Sequence, residues 1–179
     1  MIITGIGSRK TPSYILDAME KFAREAAAKG HLFRSGHAEG ADYAFEKGAG
    51  KSCMVYLPWR GFNENCPLLG KGIVSGQINE DALSIVIEHE PHATTCTRGV
   101  KLLKCRNVYQ ILGFNLLEES DLVICWTPGG NGAGGTGLAI KIASSRNIPV
   151  IDLGKYWEFG GDNIVDSDFI WRKINEIIS

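Results

Sequence analysis

The sequence predicts a Rossmann-like, doubly wound α/β fold, in which a mostly parallel sheet carries helices on both faces. Short apolar or β-branched runs alternate with longer segments of helical periodicity, which is typical of strands joined by crossover helices. The run Leu122–Trp126 is apolar at every position, as expected of a strand buried on both faces. Glycine makes up 22 of 179 residues, and its clusters follow strands and precede helices.

The first half of the chain is predicted to form three strands and two helices before an irregular stretch. Pro12 and Ser13 open the first helix and Gly30 closes it. In chain order we predict a strand over Ile2–Thr4, a helix over Tyr14–Lys29, a strand over His31–Arg34, a helix over Ala41–Gly48, a strand over Ser52–Leu57 and no regular element from Asn63 to Gly76.

The second half is predicted to add three more helices, two strands and a short closing helix. In chain order these are helices over Glu80–His89 and Val100–Leu117, a strand over Leu122–Trp126, a helix over Leu138–Ser145, a strand over Ile148–Leu153 and an amphipathic helix over Phe169–Ile178. The long helix presents one apolar set, formed by Leu103, Val108, Ile111, Leu112 and Leu116. This set is also a candidate interface for a homo-oligomer.

The length of the chain limits the number of domains, and its charge limits the classes of binding partner. A chain of 179 residues has the usual size of one domain, and no repeat or linker divides it, so we predict a single domain over residues 1–179. The 19 Lys and Arg residues nearly balance the 20 Asp and Glu residues, giving a net charge of −1. A generally basic nucleic-acid-binding surface is therefore disfavoured, although a local basic patch is compatible with this balance.

The sequence predicts neither membrane attachment nor a metal site. The amino terminus lacks the order of a signal peptide, and no apolar run approaches the ~18 residues of a membrane span. We therefore expect a cytoplasmic protein. The five cysteines form no C-x-x-C pair and the four histidines lack ligand spacing, so we expect free thiols, no metal and no resident cofactor.

Three glycine-rich loops should meet at the carboxyl edge of the sheet, because right-handed crossovers place every strand-to-helix loop there. The first loop holds Gly5, Gly7, Ser8 and Arg9. Its glycines allow a close backbone approach to a ligand, and its hydroxyl and guanidinium groups suit a phosphate. A tight turn without a ligand would have the same sequence.

The second loop combines small residues with acids and a histidine. It runs from Ser35 and Gly36 through His37 and Glu39 to Asp42. Asp42 could contact a ribose hydroxyl or serve as a helix cap. His37 could contact a ligand or lie in solvent.

The third loop carries the strongest phosphate signal, because its glycines follow an apolar strand and precede a helix. It comprises Gly129, Gly130, Asn131, Gly132, Ala133, Gly134, Gly135, Thr136 and Gly137. No G-K-[ST] follows, so it is not a Walker A loop. A dinucleotide fingerprint would also need an acidic residue after a following strand, a place that only Asp152 could fill.

A pair of polar residues on the long helix completes the candidate site. Arg106 and Asn107 follow Lys104 and precede the strand that leads into the third loop. They could point into the crevice between the loops, or they could belong to a solvated basic helix face.

Taken in order, the blocks GIGSR, SGHAEGAD, RN and GGNGAGGTG resemble the SMF/DprA–LOG (SLOG) superfamily. The resemblance runs from about Met1 to Leu153. Within the superfamily it is closest to the Rossmann-like domain of DNA-processing protein A, including its stand-alone bacterial and phage relatives. It implies a nucleotide-phosphate site at the carboxyl edge of the sheet, with Arg106 and Asn107 helping to line the pocket. The predicted ligand-binding residues are Gly5, Gly7, Ser8, Arg9, Ser35, Gly36, His37, Asp42, Arg106, Asn107, Gly129, Gly130, Asn131, Gly132, Gly134, Gly135 and Thr136.

The superfamily offers three functions for such a site. The first, which the balanced charge favours, is binding of a phosphorylated nucleotide or nucleotide-derived signal. The second is hydrolysis of the N-glycosidic bond of a nucleoside 5'-monophosphate, as in the LOG branch. That branch has a glutamate in the helix after its glycine loop, where this chain has no acid. Asp42 or Glu39 would therefore have to supply the acid, with Arg9 or Arg106 on the phosphate. The third is single-stranded DNA binding through Lys10, Lys101 and Lys104.

Overall fold

The computed structural model describes residues 1–63, 72–156 and 165–178. Its six strands form one sheet, and every strand pair in it is parallel. The strands are β1 (Ile2–Gly5), β2 (Leu32–Ser35), β3 (Cys53–Leu57), β4 (Gly72–Val74), β5 (Leu122–Cys125) and β6 (Val150–Asp152). The helices are α1 (Ser13–Ala28), α2 (Ala41–Ala49), α3 (Glu80–His89), α4 (Arg98–Leu112), α5 (Gly135–Ser145) and α6 (Ser167–Ile178).

Helices cover both faces of the sheet, so the predicted doubly wound architecture is confirmed. Helices α1, α2 and α6 pack on one face, where Phe22, Phe33 and Phe45 are fully buried. Helices α3, α4 and α5 pack on the other face around Val108, Ile111 and other buried residues. Burial of both faces explains why β5 is apolar at every position.

The strand order places a switch point next to β1. The order is β4-β3-β2-β1-β5-β6, so the chain builds outward from β1 to β4 and then returns to the other side of β1 with β5. The loops after β1 and β5 therefore leave neighbouring strands and lead to helices on opposite faces. Such a switch point opens a crevice at the carboxyl edge of the sheet.

Two predictions of secondary structure need correction. The sequence predicted a helix to Leu117, but α4 ends at Leu112, because Gly113 follows with a φ of 73° and Arg34 binds the carbonyl oxygen of Glu118 in the returning chain. The stretch predicted to be irregular contains β4, which pairs with β3 through backbone bonds that the side-chain pattern does not reveal. Residues 64–71 of that stretch lie outside the described residues.

The apolar face of α4 also differs from the predicted one. Leu102 and Cys105 are buried along with Val108, Ile111 and Leu112, whereas Leu103 is only half-buried. The buried side packs against the sheet, α3 and α5. It is therefore used within the chain and cannot supply the interface that the sequence suggested, and a homo-oligomer stays a prediction.

Neither a membrane span nor a metal-binding cluster occurs in the part of the chain that the structure describes. None of its helices is both long and apolar enough to cross a bilayer. Its His, Cys, Asp and Glu side chains form no group of three that could hold a metal ion. Four of the cysteines, Cys53, Cys96, Cys105 and Cys125, are free thiols, and Cys66 lies outside the described residues.

Candidate functional site

A cleft of about 450 Å³ opens at the switch point. It brings together residues from the β1 loop, the β2 loop, α4 and the start of α5. Nine of the predicted site residues line it: Gly7, Ser8, Arg9, Asp42, Arg106, Asn107, Gly134, Gly135 and Thr136. Its remaining lining residues are Ile6, Lys10, Ala38, Val100, Leu103, Lys104, Gln110, Ala133 and Ala139.

The β1 loop forms one wall of the cleft and requires a glycine. A Cβ atom on Gly7 would lie 2.6 Å from the Cβ of Ala41 and 3.1 Å from the backbone of Trp126, so no larger residue fits. The Ser8 N–H donates to the Trp126 carbonyl at 3.0 Å, which fixes the loop to the end of β5. Arg9 and Lys10 follow as exposed cations, and neither has an ion-pair partner among the described residues.

The opposite wall is the amino terminus of α5. Gly134 precedes the helix with a φ of 77°, and no described side chain caps its first turn. Cβ atoms on Gly134 or Gly135 would meet nothing within 4 Å, so this end of the helix faces open space. Asn107 Nδ2 donates to the Gly135 carbonyl at 3.0 Å and ties the helix end to α4. Free backbone N–H groups at such an end favour an anion.

A buried carboxylate holds the loop before α5 in place. Asp152 accepts hydrogen bonds from the Thr127 N–H at 2.9 Å, from the Thr127 hydroxyl and from the Gly154 N–H at 3.0 Å. The Thr127 hydroxyl in turn accepts from the Gly132 N–H at 3.0 Å. Asp152 is therefore engaged in the loop's own structure, and it is not placed to read a ribose as a dinucleotide-binding acid would.

The first half of that loop lies away from the cleft. Gly129, Gly130, Asn131 and Gly132 were predicted to bind ligand, but the cleft lining contains none of them. A Cβ atom on Gly130 would lie 2.5 Å from the backbone nitrogen of Lys155, so this glycine serves the packing of the turn. The sequence could not separate the two halves, because both are equally rich in glycine.

Asp42 and Arg106 form a buried ion pair on the floor of the cleft. Arg106 Nη1 donates to Asp42 Oδ2 at 3.2 Å and to the Gly36 carbonyl at 2.7 Å. Asp42 also accepts weakly from the N–H groups of Gly7 and Ala38, at 3.3 and 3.4 Å. Burial raises the pKa of Asp42 to about 6, against the opposing effect of the guanidinium. The pair thus links the β1 loop, the β2 loop and α4.

His37 belongs to a second buried pair, outside the cleft lining. It has a φ of 58°, and both its N–H and its Nδ1 donate to Glu46, each at 2.7 Å. Asn63 Nδ2 donates to the His37 carbonyl at 2.8 Å. The hydrogen bond to Glu46 raises the pKa of His37. Glu46 is buried along with its partner, although it lies within α2.

Four other predicted site residues lie outside the lining. Gly5 packs against the ring of Phe45, where a Cβ atom would come within 2.3 Å of the ring. The Ser35 hydroxyl donates to the Asp42 carbonyl at 3.3 Å and is buried. Gly36 lies under Arg106, and Glu39 is exposed. Of the second loop, only Ala38 and Asp42 reach the cleft.

Gln110 is a lining residue that sequence reasoning missed. It lies four residues after Arg106 on α4 and therefore on the same helix face. The sequence feature that could have identified Gln110 is its position four residues after Arg106, within an otherwise mostly apolar stretch of the helix. Only the cleft itself shows that the side chain lines it.

No family model and no curated protein matches this sequence, but solved structures do. DNA processing protein A from Helicobacter pylori, described for its single-stranded DNA binding mode, is 17% identical with a TM-score of 0.53, and the match covers 98% of this chain and 73% of that chain. The Moco carrier protein from Chlamydomonas reinhardtii is 17% identical with a TM-score of 0.55, and covers 99% of this chain and 96% of that one. The chain shares a Rossmann-like α/β fold with these two proteins. At these identities the likeness concerns the fold, and the same fold hosts many functions, so the function follows from the residues of the site.

Proposed function

We propose that this chain binds a phosphorylated nucleotide or nucleotide-derived small molecule in the switch-point cleft. The observation that carries the proposal is that the uncapped amino terminus of α5 lines the same cleft as Arg9 and Lys10, two cations without an ion-pair partner among the described residues. A phosphate between them would accept hydrogen bonds from backbone N–H groups and neutralise the cations. The hydroxyls of Ser8 and Thr136 add two donors beside the same space.

The rest of the cleft suits the uncharged part of a nucleotide. Ile6, Leu103 and Ala139 give it apolar walls, and Val100 lies at its margin. A volume of about 450 Å³ falls in the range of small-molecule sites, ~300–1,000 Å³. A cleft that combines an anion-binding helix terminus with apolar side chains suits a nucleotide, which combines a phosphate with an uncharged base.

Hydrolysis of a nucleotide N-glycosidic bond is the second candidate, and Asp42 favours it. Its carboxyl lines the cleft, and a pKa of about 6 lets it exchange a proton near neutral pH. Both of its oxygens, however, already accept hydrogen bonds from the chain. Glu39 is exposed and lies outside the cleft lining, and α5 offers no acid in its place. We therefore rank binding above hydrolysis.

Single-stranded DNA binding is known for the Helicobacter pylori neighbour, and here it has weaker support. Of the three lysines that the sequence suggested, Lys104 is paired with Glu90 and only Lys10 is exposed. Lys101 is half-buried on α4. Two or three cations are few for a polymer whose affinity depends on many phosphate contacts.

Thermal unfolding with added ligands tests the proposal. A nucleotide at about 100 times its Kd adds ~2.7 kcal/mol of stability, which raises the Tm of a chain this size by about 5–10 °C. Ligands that stabilise the protein are then titrated calorimetrically and checked by chromatography for released base. We expect a nucleotide that binds and stays intact.

The matched variants are Arg9→Ala and Arg24→Ala. Arg9 lines the cleft, whereas Arg24 is an exposed arginine near the far end of α1. Loss of a charge-assisted bond to phosphate should weaken binding about tenfold or more in the first variant only. Equal affinities in the two variants would contradict the proposal. Release of free base would establish hydrolysis instead, and stabilisation by an oligonucleotide alone would establish DNA binding.

A further inference from the structure

Two buried donors on the floor of the cleft have no acceptor among the described residues. They are Nε of Arg106 and Nε2 of Gln110. Both side chains line the cleft, and the residues are only 7% and 1% exposed. Buried donors are nearly always paired in folded proteins, because an unpaired donor has lost its water without compensation. Two such donors in one cleft indicate acceptors that arrive with a ligand.

The two donors belong to neighbouring side chains held over Gly36. A Cβ atom at Gly36 would lie 2.5 Å from Cζ of Arg106 and 2.7 Å from Nε2 of Gln110. Both groups therefore approach one point, and a side chain at position 36 would displace them. The i, i+4 spacing on α4 aligns them on the same helix face.

The two side chains differ in how freely they can move. The Arg106 guanidinium is fixed by the bonds from Nη1 to Gly36 and Asp42, and its Nε is a buried donor without an acceptor among the described residues. The Gln110 carboxamide has no such anchor in the part of the chain that the structure describes, and its terminal torsion is soft. A modest rotation would turn its N–H₂ group toward a ligand beside Arg106.

The lining beside the two donors is apolar and suits a flat ring such as a nucleotide base. Leu103 and Ala139 line the cleft together with Arg106 and Gln110, and the residues assigned to the phosphate, Ser8, Arg9 and Thr136, line the same cleft. A nucleotide with its phosphate at α5 would place its base between these walls and present an edge of the base to the two donors.

Resting on the proposed function, we propose that the ligand is a 6-oxopurine nucleotide, and that Gln110 determines this specificity together with Arg106. The edge of guanine or hypoxanthine that carries N7 and O6 offers two acceptors side by side, which matches two donors. Adenine offers N7 but has an amino group in place of O6, so one donor would face another donor. The mismatch leaves a buried donor unpaired, which is the strongest basis for discrimination between similar ligands.

Calorimetric titration with GMP, IMP, AMP and ribose 5-phosphate tests this proposal. The variant is Gln110→Leu, which keeps the shape of the side chain and removes the donor, and its control is Gln77→Leu at an exposed glutamine. We expect GMP and IMP to bind the wild-type protein and Gln77→Leu about tenfold or more tightly than AMP. In Gln110→Leu this preference should disappear, while the affinity for ribose 5-phosphate stays the same.

The unliganded variant gives a second readout that needs no nucleotide. Because Leu replaces a buried carboxamide whose Nε2 has no acceptor among the described residues, Gln110→Leu should be at least as resistant to denaturant as the wild-type protein. A clear loss of stability would show that the amide already has a partner and would overturn the proposal. Binding of AMP as tight as that of GMP, or a preference that survives in Gln110→Leu, would overturn it as well. If none of these nucleotides binds the wild-type protein but another ligand of the thermal screen does, this proposal fails and the proposed function stands. If no ligand of either experiment binds, the proposed function itself fails.

Discussion

At the scale of single residues, two acids one turn apart on α2 have separate tasks. Asp42 pairs with Arg106 on the floor of the cleft, and Glu46 pairs with His37 beside it. All four side chains are buried. When both carboxyl groups are ionised, the group is electrically balanced only while His37 carries a proton, since the two carboxylates otherwise face a single cation.

The His37–Glu46 pair predicts a pH dependence of stability. The hydrogen bond to Glu46 raises the pKa of His37, and the nearby charge of Asp42 acts in the same direction. A histidine whose pKa is higher in the folded than in the unfolded state stabilises the fold fully below the unfolded value, about 6.5. We expect the free energy of unfolding to fall as pH rises from 6.5 through the folded pKa of His37. Denaturant unfolding between pH 6.5 and 8.5 measures this fall.

Two variants separate His37 from the other titrating groups. Glu46→Gln removes the charge that holds the proton, so the fall above pH 6.5 should become shallower. His92→Gln changes an exposed histidine in the short 3-10 turn Pro91–Thr95 after α3 and should leave the fall above pH 6.5 unchanged. NMR titration of the His37 ring reads the pKa directly, and a value at or below 6.5 in the wild-type protein would refute the prediction.

At the scale of secondary-structure elements, the start of α5 depends on a close backbone contact. A Cβ atom on Gly137 would lie 2.0 Å from the carbonyl oxygen of Gly132, a backbone atom that cannot move without the loop. The loop is held in turn by Thr127 and Asp152. The shape of the α5 end of the cleft therefore follows from the fit between the loop and the first turn of the helix.

Gly137→Ala should therefore be destabilising, by about 1–3 kcal/mol, because the added methyl group forces the loop or the helix to shift. Gly135→Ala is the matched control, since a Cβ atom there meets nothing within 4 Å and the φ of Gly135 is not positive. Its stability should stay within ~0.5 kcal/mol of the wild-type value. Denaturant unfolding of both variants provides the comparison, and equal losses would show that the contact with Gly132 is unimportant.

At the scale of the whole molecule, Arg34 ties the centre of the sheet to the chain that returns from α4. It is buried on β2 and donates to the Ser120 hydroxyl at 3.4 Å and to the carbonyl and carboxylate of Glu118. These bonds close the connection from α4 to β5, the strand that completes the switch point. These contacts lie just before the amino end of β5, whereas the cleft lies at the carboxyl end of the strand. The position of a strand that borders the cleft thus depends on contacts at its other end.

Arg34→Met should reduce stability by about 1–3 kcal/mol, because it leaves the buried oxygen atoms near Ser120 without their donor. Arg24→Met, at an exposed position on α1, removes only an exposed i, i+4 pair with Glu20 and should cost at most ~0.5 kcal/mol. Thermal and denaturant unfolding measure both. A loss in Arg34→Met no greater than in Arg24→Met would mean that the guanidinium adds nothing to the closure of the fold.

The class of fold and the edge of the sheet that carries the candidate site follow from local patterns in the sequence. Alternating strands and helices require a parallel sheet with crossovers, and the apolar β5 requires helices on both faces. The residues Gly7, Ser8 and Arg9 were predictable as cleft residues, because they follow a strand directly and so must lie at its carboxyl end. Local pattern is sufficient for conclusions of this kind, since each depends on neighbours in the chain.

Which residues of the carboxyl edge open into the cleft depends on how distant parts of the chain pack together. Gly130 and Gly134 lie in one glycine-rich run, yet one packs against Lys155 and the other lines the cleft. Asp152 turned out to support a loop, and Gln110 to line the floor. These roles depend on contacts between residues far apart in the chain, through the strand order around β1, and no local pattern encodes that order.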